Sequence, residues 1–229
     1  MRRELTQPVE DYLKAIYELS GGERRAGTNE IAERLGVSPA SASEMVKKLS
    51  ETHPPLVDYQ KHRGAALTPE GELVALEILR HHRLIETFLT QVLGYTWDEV
   101  HPEADRLEHV ISEEFEERIA RLLGDPQSDP HGDPIPTREL DMPPAAGLPL
   151  KEMHPGERVV IERVPSGDPA LLRYLSENGL TPGNRLEVLE VSPFDENLII
   201  QVDGQPGPLT IGPKVTQRIL VERVKLNAA

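Results

Sequence analysis

The spacing of apolar residues changes once along this chain, and the change dictates what it can fold into. Through residue 123 apolar positions recur at helical intervals; after residue 156 they gather into short runs of three to five. Residues 124–156, between them, are rich in Pro, Gly and Asp. A helical period and a strand period separated by breaker-rich chain imply leading helices and a small trailing sheet. With 229 residues, two or three compact units are expected.

The first third can be resolved element by element. Residues 8–20 carry Val9, Tyr12, Leu13, Ile16 and Tyr17 on one helical face, and Gly21-Gly22 stops the helix. Thr28 is the expected cap of a second helix containing Ile31, Ala32 and Leu35, ended by Gly36. Ser38 caps a third, with Pro39 at its first position and Met45, Val46 and Leu49 inside. Two helices joined by a short glycine-containing turn form a helix-turn-helix. Residues 56–60 and 65–67 then read as a hairpin whose basic tip is Lys61-His62-Arg63-Gly64, and Thr68-Pro69-Glu70 opens the next helix. That order is a winged helix.

Two longer helices are expected at about 69–93 and 102–123, their apolar faces able to pair within a chain or across a dimer. Beyond residue 156, β runs at 159–161, 186–189, 198–202, 209–211 and 219–221 surround one helix capped by Asp168 and closed by Gly179. The fold class is therefore mainly α with a C-terminal β-barrel.

The net charge of -14 is unevenly placed. Residues 1–68 balance 10 basic against 10 acidic residues, 69–141 set 6 against 18, and 142–229 set 9 against 11. An acidic middle suits a cation site, and the neutral module beside it can approach phosphate. There is no cysteine, so a metal must be held by oxygen and imidazole nitrogen. No secretory signal and no run of about 20 apolar residues is seen, so a cytoplasmic protein is expected.

Asp105, Glu108 and His109 stand at i, i+3 and i+4 of the predicted second long helix; His82 and Glu86 are an i, i+4 pair on the first, and His101 lies in the turn between. Such clusters suit Mn²⁺ or Fe²⁺. They equally describe solvated acidic helix faces, and in other settings they build metal-dependent hydrolases. No nucleophile motif, phosphate-binding glycine loop or His-Glu-x-x-His run accompanies them, and a hydrolase would leave the winged helix unexplained, so an enzyme is not expected.

At this point the chain resembles the diphtheria-toxin-repressor family of iron- and manganese-dependent transcription regulators. The resemblance runs nearly full length and rests on Val9 to Tyr17, Ile31 to Leu35, His82 to Glu86, Trp97 to His109 and Gly132 to Pro136. It implies a winged-helix DNA-binding domain at 1–70, a helical metal-binding and dimerisation domain at 71–142, a linker at 143–155 and an SH3-like, FeoA-type domain at 156–226. By position, the family's regulatory metal site falls on Asp11, Asp105, Glu108 and His109. A second site falls on His82, Glu86 and His101, with Glu162 the donor that the SH3-like stretch Val160 to Ser166 offers.

The family's iron-sensing branch has sulfur ligands where this chain has Asp11 and Asp105, and its manganese branch has carboxylates. The resemblance therefore implies a Mn²⁺-activated repressor of metal-uptake genes, with Fe²⁺ response as the alternative and Zn²⁺, Co²⁺ or Cd²⁺ able to bind in vitro. Lys14 departs from the manganese branch, which carries another acid there. The implied partner is a palindromic double-stranded operator, bound by a homodimer. DNA contact is expected from Ser38, Ala40, Ser41, Ser43, Glu44, Lys47 and Lys48 of the recognition helix and from Lys61, His62 and Arg63 of the wing. In this scheme the metal-free acids and imidazoles repel one another, and the ion ties the first helix to the second domain.

Overall fold

The computed structural model describes residues 5–21, 24–144, 147–165 and 167–224. Gly22, Ser166 and both extreme ends lie outside the described residues. The chain forms two compact units. One comprises residues 1–82, 105–116 and 136–142, the other 83–104, 117–135 and 143–229.

In the first unit, α1 (Gln7–Ser20) ends at Gly21, whose φ of 60° allows its N–H to reach the Tyr17 carbonyl. The next helix, α2, spans Thr28–Leu35, and here the expected cap shifts by one residue. Gly27 is the cap, its N–H donating to Glu30 Oε2 at 2.7 Å, so Thr28 is already helical. Helix α3 (Pro39–Ser50) starts as predicted, with Ser38 Oγ accepting from the Ser41 N–H at 3.1 Å. Its buried face is Ala42, Val46 and Leu49, packed in one core with Leu13 and Ile16 of α1, Ile31 of α2 and Val57.

Strands β1 (Val57–Gln60) and β2 (Gly64–Leu67) form the wing, with Tyr59 opposite Ala65. Gly64 is required where it stands. Its φ is +95°, and a Cβ there would lie 2.4 Å from the Ala26 carbonyl oxygen. Ala26 exchanges both main-chain hydrogen bonds with Ala65, which ties the wing's second strand to the loop before α2.

Helix α4 (Pro69–Gln91) gives Pro69–His82 to the first unit and Arg83–Gln91 to the second. The single helix expected at 102–123 is instead two: α5 (Val100–Leu107) and α6 (Glu113–Leu122). The break has a local cause. Ser112 Oγ accepts from the Phe115 N–H at 3.2 Å, and Glu113, Glu114 and Glu116 fill the first turn that follows, which is the signature of a helix start. His101, expected in a turn, lies within α5.

In the second unit a small cluster of Leu84, Ile119, Ala120 and Ile135 is joined by Phe88 and Leu123. The larger core belongs to an antiparallel sheet in the order β3-β8-β4-β5-β6-β7. These strands are Leu148–Pro149, Leu220–Arg223, Arg158–Arg163, Arg185–Val191, Leu198–Val202 and Leu209–Ile211, in that sheet order. Strands β3 and β7 are its edges, so the ladder is not closed into the expected barrel. The stretch expected as linker also supplies β3, which pairs with β8.

Alternation along the strands buries Val159 and Ile161 of β4, Leu186 and Val188 of β5, and Leu198, Ile200 and Val202 of β6. Trp97 joins that core. Helix α7 (Pro169–Glu177) is capped by Asp168, which accepts from the Ala170 and Leu171 N–H groups. The short α8 spans Pro213–Thr216.

Candidate metal centre

The first unit brings Asp11, Glu108 and His109 together, with one ligand atom from each close enough to share an ion. Helix α1 supplies Asp11. Glu108 and His109 lie just past the end of α5, in the turn before α6 and not on the helix the spacing predicted. His109 Nε2 is 2.9 Å from Asp11 Oδ1 and 3.3 Å from Glu108 Oε1. Its other nitrogen, Nδ1, is 2.7 Å from Glu10 Oε2. A carboxylate can only accept, so Glu10 fixes the proton on Nδ1 and aims the Nε2 lone pair at the other two donors.

His109 Nε2 is buried and faces both carboxylates. Once deprotonated, an imidazole nitrogen so placed between two carboxylate oxygens suits a divalent cation. Without an ion, burial would lower the His109 pKa. The hydrogen bonds to Asp11 and Glu10 and the charge of Glu108 prevail and raise it to about 9.

Asp105 is placed differently. With His82 and Glu108 it forms a second potential donor group in the same unit, and Lys14 lies in its midst. Lys14 Nζ is 2.9 Å from His82 Nδ1, 3.1 Å from Asp105 Oδ1, and 2.9 and 2.7 Å from the two Glu108 oxygens. His82 Nδ1 also hydrogen-bonds Glu108 Oε2. Burial would lower the Lys14 pKa, but the charges of Glu108, Glu18 and Asp105 hold it above the usual lysine value. The metal-free repulsion expected from the sequence is thus relieved on the Asp105 side by a tethered ammonium. An open cleft lined by Asp11, Lys14, Glu18, Arg34 and Asp105 leads to these groups.

Of the second predicted set, His82 belongs to the first unit, and Glu86 and His101 to the second. His101 Nδ1 is 3.0 Å from Glu86 Oε1. The second unit adds two residues that the sequence reading left inside an irregular stretch, Asp129 and His131. With Glu86 they form a fully buried group of potential ligands. His131 Nε2 is 3.0 Å from the Trp97 carbonyl, which can only accept, so Nδ1 carries the lone pair. Nδ1 has no hydrogen-bond partner and lies 3.8 Å from Glu86 Oε2 and 3.9 Å from Asp129 Oδ1. The ring stacks on Trp97 at 5.6 Å. Burial and the like charges of Glu86 and Asp133 push the Asp129 carboxyl well above its ordinary range, a conflict that a cation would relieve.

The signal for this second group was the Asp-x-His spacing at 129–131, followed by Gly132. Gly132 has φ +88°, and a Cβ there would sit 1.9 Å from the Glu162 carbonyl. Glu162 is the extra residue where the β4–β8 register shifts. Among the described residues it joins none of the potential ligand groups.

On the DNA-binding candidates, Ser38, Ala40, Ser41, Glu44, Lys47 and Lys48 are exposed and Ser43 is half-buried. Lys61, His62 and Arg63 are exposed at the wing tip, His62 with φ 68°. The long helix α4 is not apolar enough to cross a membrane, nor is any other helix among the described residues.

Comparison with known proteins gives a consistent result. Residues 4–65 match the model for an iron-dependent repressor, N-terminal DNA binding domain. Residues 68–137 match the iron-dependent repressor metal binding and dimerisation domain, and 148–223 match the FeoA domain. The iron-dependent repressor IdeR of Mycobacterium tuberculosis (strain H37Rv) is 33% identical over 234 residues, covering 96% of this chain and 99% of the relative. The diphtheria toxin repressor of Corynebacterium diphtheriae is 37% identical over 134 residues, 58% of each chain.

Among solved structures, a manganese-dependent transcriptional repressor in complex with manganese is 37% identical with a TM-score of 0.84, covering 94% of this chain and 100% of that one. The manganese regulator SloR matches at 37% identity and a TM-score of 0.76, covering 96% and 100%. ScaR with bound Zn²⁺ matches at 37% and 0.77, covering 94% and 99%.

Proposed function

From the premise that this chain belongs to the iron-dependent repressor family of metal-dependent transcriptional repressors, we propose that Mn²⁺ is its activating ion, held by Asp11, Glu108 and His109 with Asp105 beside them. The observation that carries the reading is the buried His109 Nε2 facing two carboxylates, with Glu10 bonded to the opposite nitrogen. Every donor is oxygen or imidazole nitrogen. Carboxylate oxygens suit Mn²⁺, and the set lacks the sulfur that would add to the advantage of later, softer ions. The manganese-dependent structural relatives support the same choice, whereas the IdeR relatives are named for iron, and Fe²⁺ accepts these donors too.

The DNA reader is residues 1–70, through the exposed face of α3 and the wing tip. Residues 71–142 bind metal and dimerise; Val110 and Phe115 are exposed apolar side chains in the first unit and Leu122 in the second, available to a second copy. Residues 143–155 lead into the SH3-like domain at 156–226 and lend it an edge strand. A second ion is held by Glu86, Asp129 and His131, with His101 alongside. Its ligands are buried, so it serves stability more than exchange with solvent.

When bound, the first ion supplies two positive charges that draw Asp11 of α1 to the turn bearing Glu108 and His109. To join that site His109 would lose its Nε2 proton to solvent. With α1 so fixed, the recognition helices of a homodimer are held about 34 Å apart, the spacing of successive major grooves in a palindromic operator. The ion shifts the population toward that arrangement because it binds it better.

The experiment is an anaerobic operator-binding titration with Mn²⁺ and Fe²⁺ on the parent, Asp11→Ala and Asp105→Ala. DNA binding by Asp11→Ala is expected to lose its response to Mn²⁺, and Asp105→Ala to respond only at higher Mn²⁺. A parent-like response from Asp11→Ala overturns the site.

A further inference from the structure

Glu108 and His109 sit on no helix, yet they must present their donors in one fixed geometry. The Glu108 carbonyl lies one residue past the end of α5, outside the helix's own hydrogen-bond ladder. Its partner is a side chain. His81 Nδ1 lies 3.0 Å from it, and because a carbonyl can only accept, that nitrogen carries the hydrogen. His81 is fully buried on α4, next to His82.

The far side of the ring faces a carboxylate. His81 Nε2 is 3.1 Å from Glu116 Oε2. Glu116 Oε1 accepts from Arg80 Nε at 2.6 Å, and Arg80 also donates to the Pro136 carbonyl at 2.7 Å. Glu116 lies in the first turn of α6, its N–H bonded to the Ser112 carbonyl at 2.9 Å. The Glu108–His109 turn is thus gripped through its main chain by His81, whose far nitrogen faces a carboxylate just beyond that turn. All of these residues belong to the first unit.

We propose that His81 is a positioning residue for the metal ligands Glu108 and His109: it meets the main chain of the ligand-bearing turn and sets where their side chains point. The inference rests on reading Asp11, Glu108 and His109 as a metal site. A buried residue with no such duty would need only to fill space, and leucine would do. A donor aimed at a main-chain carbonyl beside two ligands does more, and groups that orient ligands this way commonly change metal affinity by about 10–100-fold when removed.

The test is Mn²⁺ binding to the full chain, followed by electron paramagnetic resonance of the free ion, in a His131→Ala background so that the first-unit site is read alone. Asparagine places its amide N–H near the position of a histidine Nδ1, and glutamine near that of Nε2. His81→Asn is expected to bind within about threefold of the parent, and His81→Gln and His81→Leu to bind about tenfold more weakly or worse. Glu116→Gln, which keeps hydrogen-bonding atoms but not the charge, is expected to fall between.

Parent-like affinity for His81→Leu, or equal affinity for the Asn and Gln variants, overturns the positioning role. Thermal melts of the ion-free proteins accompany each titration; should His81→Leu fail to fold, the comparison of Asn with Gln decides. Asp11→Ala is the control for the underlying reading. If it binds Mn²⁺ like the parent, the metal site itself is misassigned, a failure distinct from one confined to the His81 variants.

Discussion

Lys14 Nζ lies 2.7 Å from Glu108 Oε2, in a pocket where both side chains are almost fully buried. The lysine is a tethered cation placed among donors that would otherwise repel. Removing it takes the ammonium partner from a buried carboxylate, and breaking such a pair commonly costs about 3–5 kcal/mol. Lys14→Met is expected to lose stability of that order in urea denaturation without metal, and to recover part of it in saturating Mn²⁺. An unchanged midpoint without metal would mean that Lys14 contributes nothing to holding these acids.

Metal affinity should follow pH through His109. Its pKa is raised to about 9, so near neutrality the ion-free imidazole carries a proton that the metal must displace. The apparent Mn²⁺ affinity is expected to rise about tenfold per pH unit until that value is reached. The stability counterpart has the opposite sense. A raised pKa stabilises the ion-free fold fully below the unfolded histidine value of about 6.5, and that contribution fades as pH climbs through about 9. Asp11→Asn removes one acceptor from His109 and should move both profiles to lower pH, as read by calorimetry at a series of pH values.

Ion stoichiometry tests the second unit. His131→Ala is expected to lose one bound Mn²⁺ per chain in equilibrium dialysis while the first site keeps its affinity. A parent-like ion count would remove Glu86, Asp129 and His131 from consideration as a binding group.

Charge on α3 and the wing should appear in salt dependence. If Lys47, Lys48, Lys61 and Arg63 meet phosphates, each alanine substitution should reduce the slope of log affinity against log salt by about 1 while leaving operator preference unchanged. Fluorescence anisotropy at several salt concentrations provides the measurement.

Gly64 is a backbone test of the same module. An added Cβ would collide with the Ala26 carbonyl in a conformation that side chains rarely adopt. Gly64→Ala is expected to cost about 1–3 kcal/mol of stability. DNA affinity should fall along with it as the wing shifts.

Much of the first unit was legible because its punctuation is local. Gly21, Gly36, Ser38 and Pro39 each act on neighbouring residues, and all stand where their chemistry predicts. The cap of α2 was misread by one residue because Thr28 is a common cap type, whereas Gly27 succeeds only through the reach of Glu30. The break between α5 and α6 was hidden by apolar residues that continue the helical period across it; only Ser112 and the acids behind it mark the new start.

The ligand groups were harder to read for a different reason. Asp11 and His109 are 98 positions apart, and their encounter follows from tertiary packing that no local pattern announces. The resemblance supplied that encounter. It did not supply His131, because a histidine in Pro- and Gly-rich chain reads as loop. Nor did it reveal that Lys14 turns inward, since a lysine four residues before Glu18 on a helix reads as an ordinary solvated side chain.

The donor set around His109 holds carboxylates and imidazole but no sulfur, and the whole chain lacks cysteine. Peroxide converts thiolates to sulfenic and higher acids and thioethers to sulfoxides, and each such step would disable a sulfur ligand. Asp11, Asp105, Glu108 and His109 offer no atom for that chemistry. An ion held as proposed would therefore present no sulfur ligand to an oxidant, which leaves the valence of the ion as a point of attack.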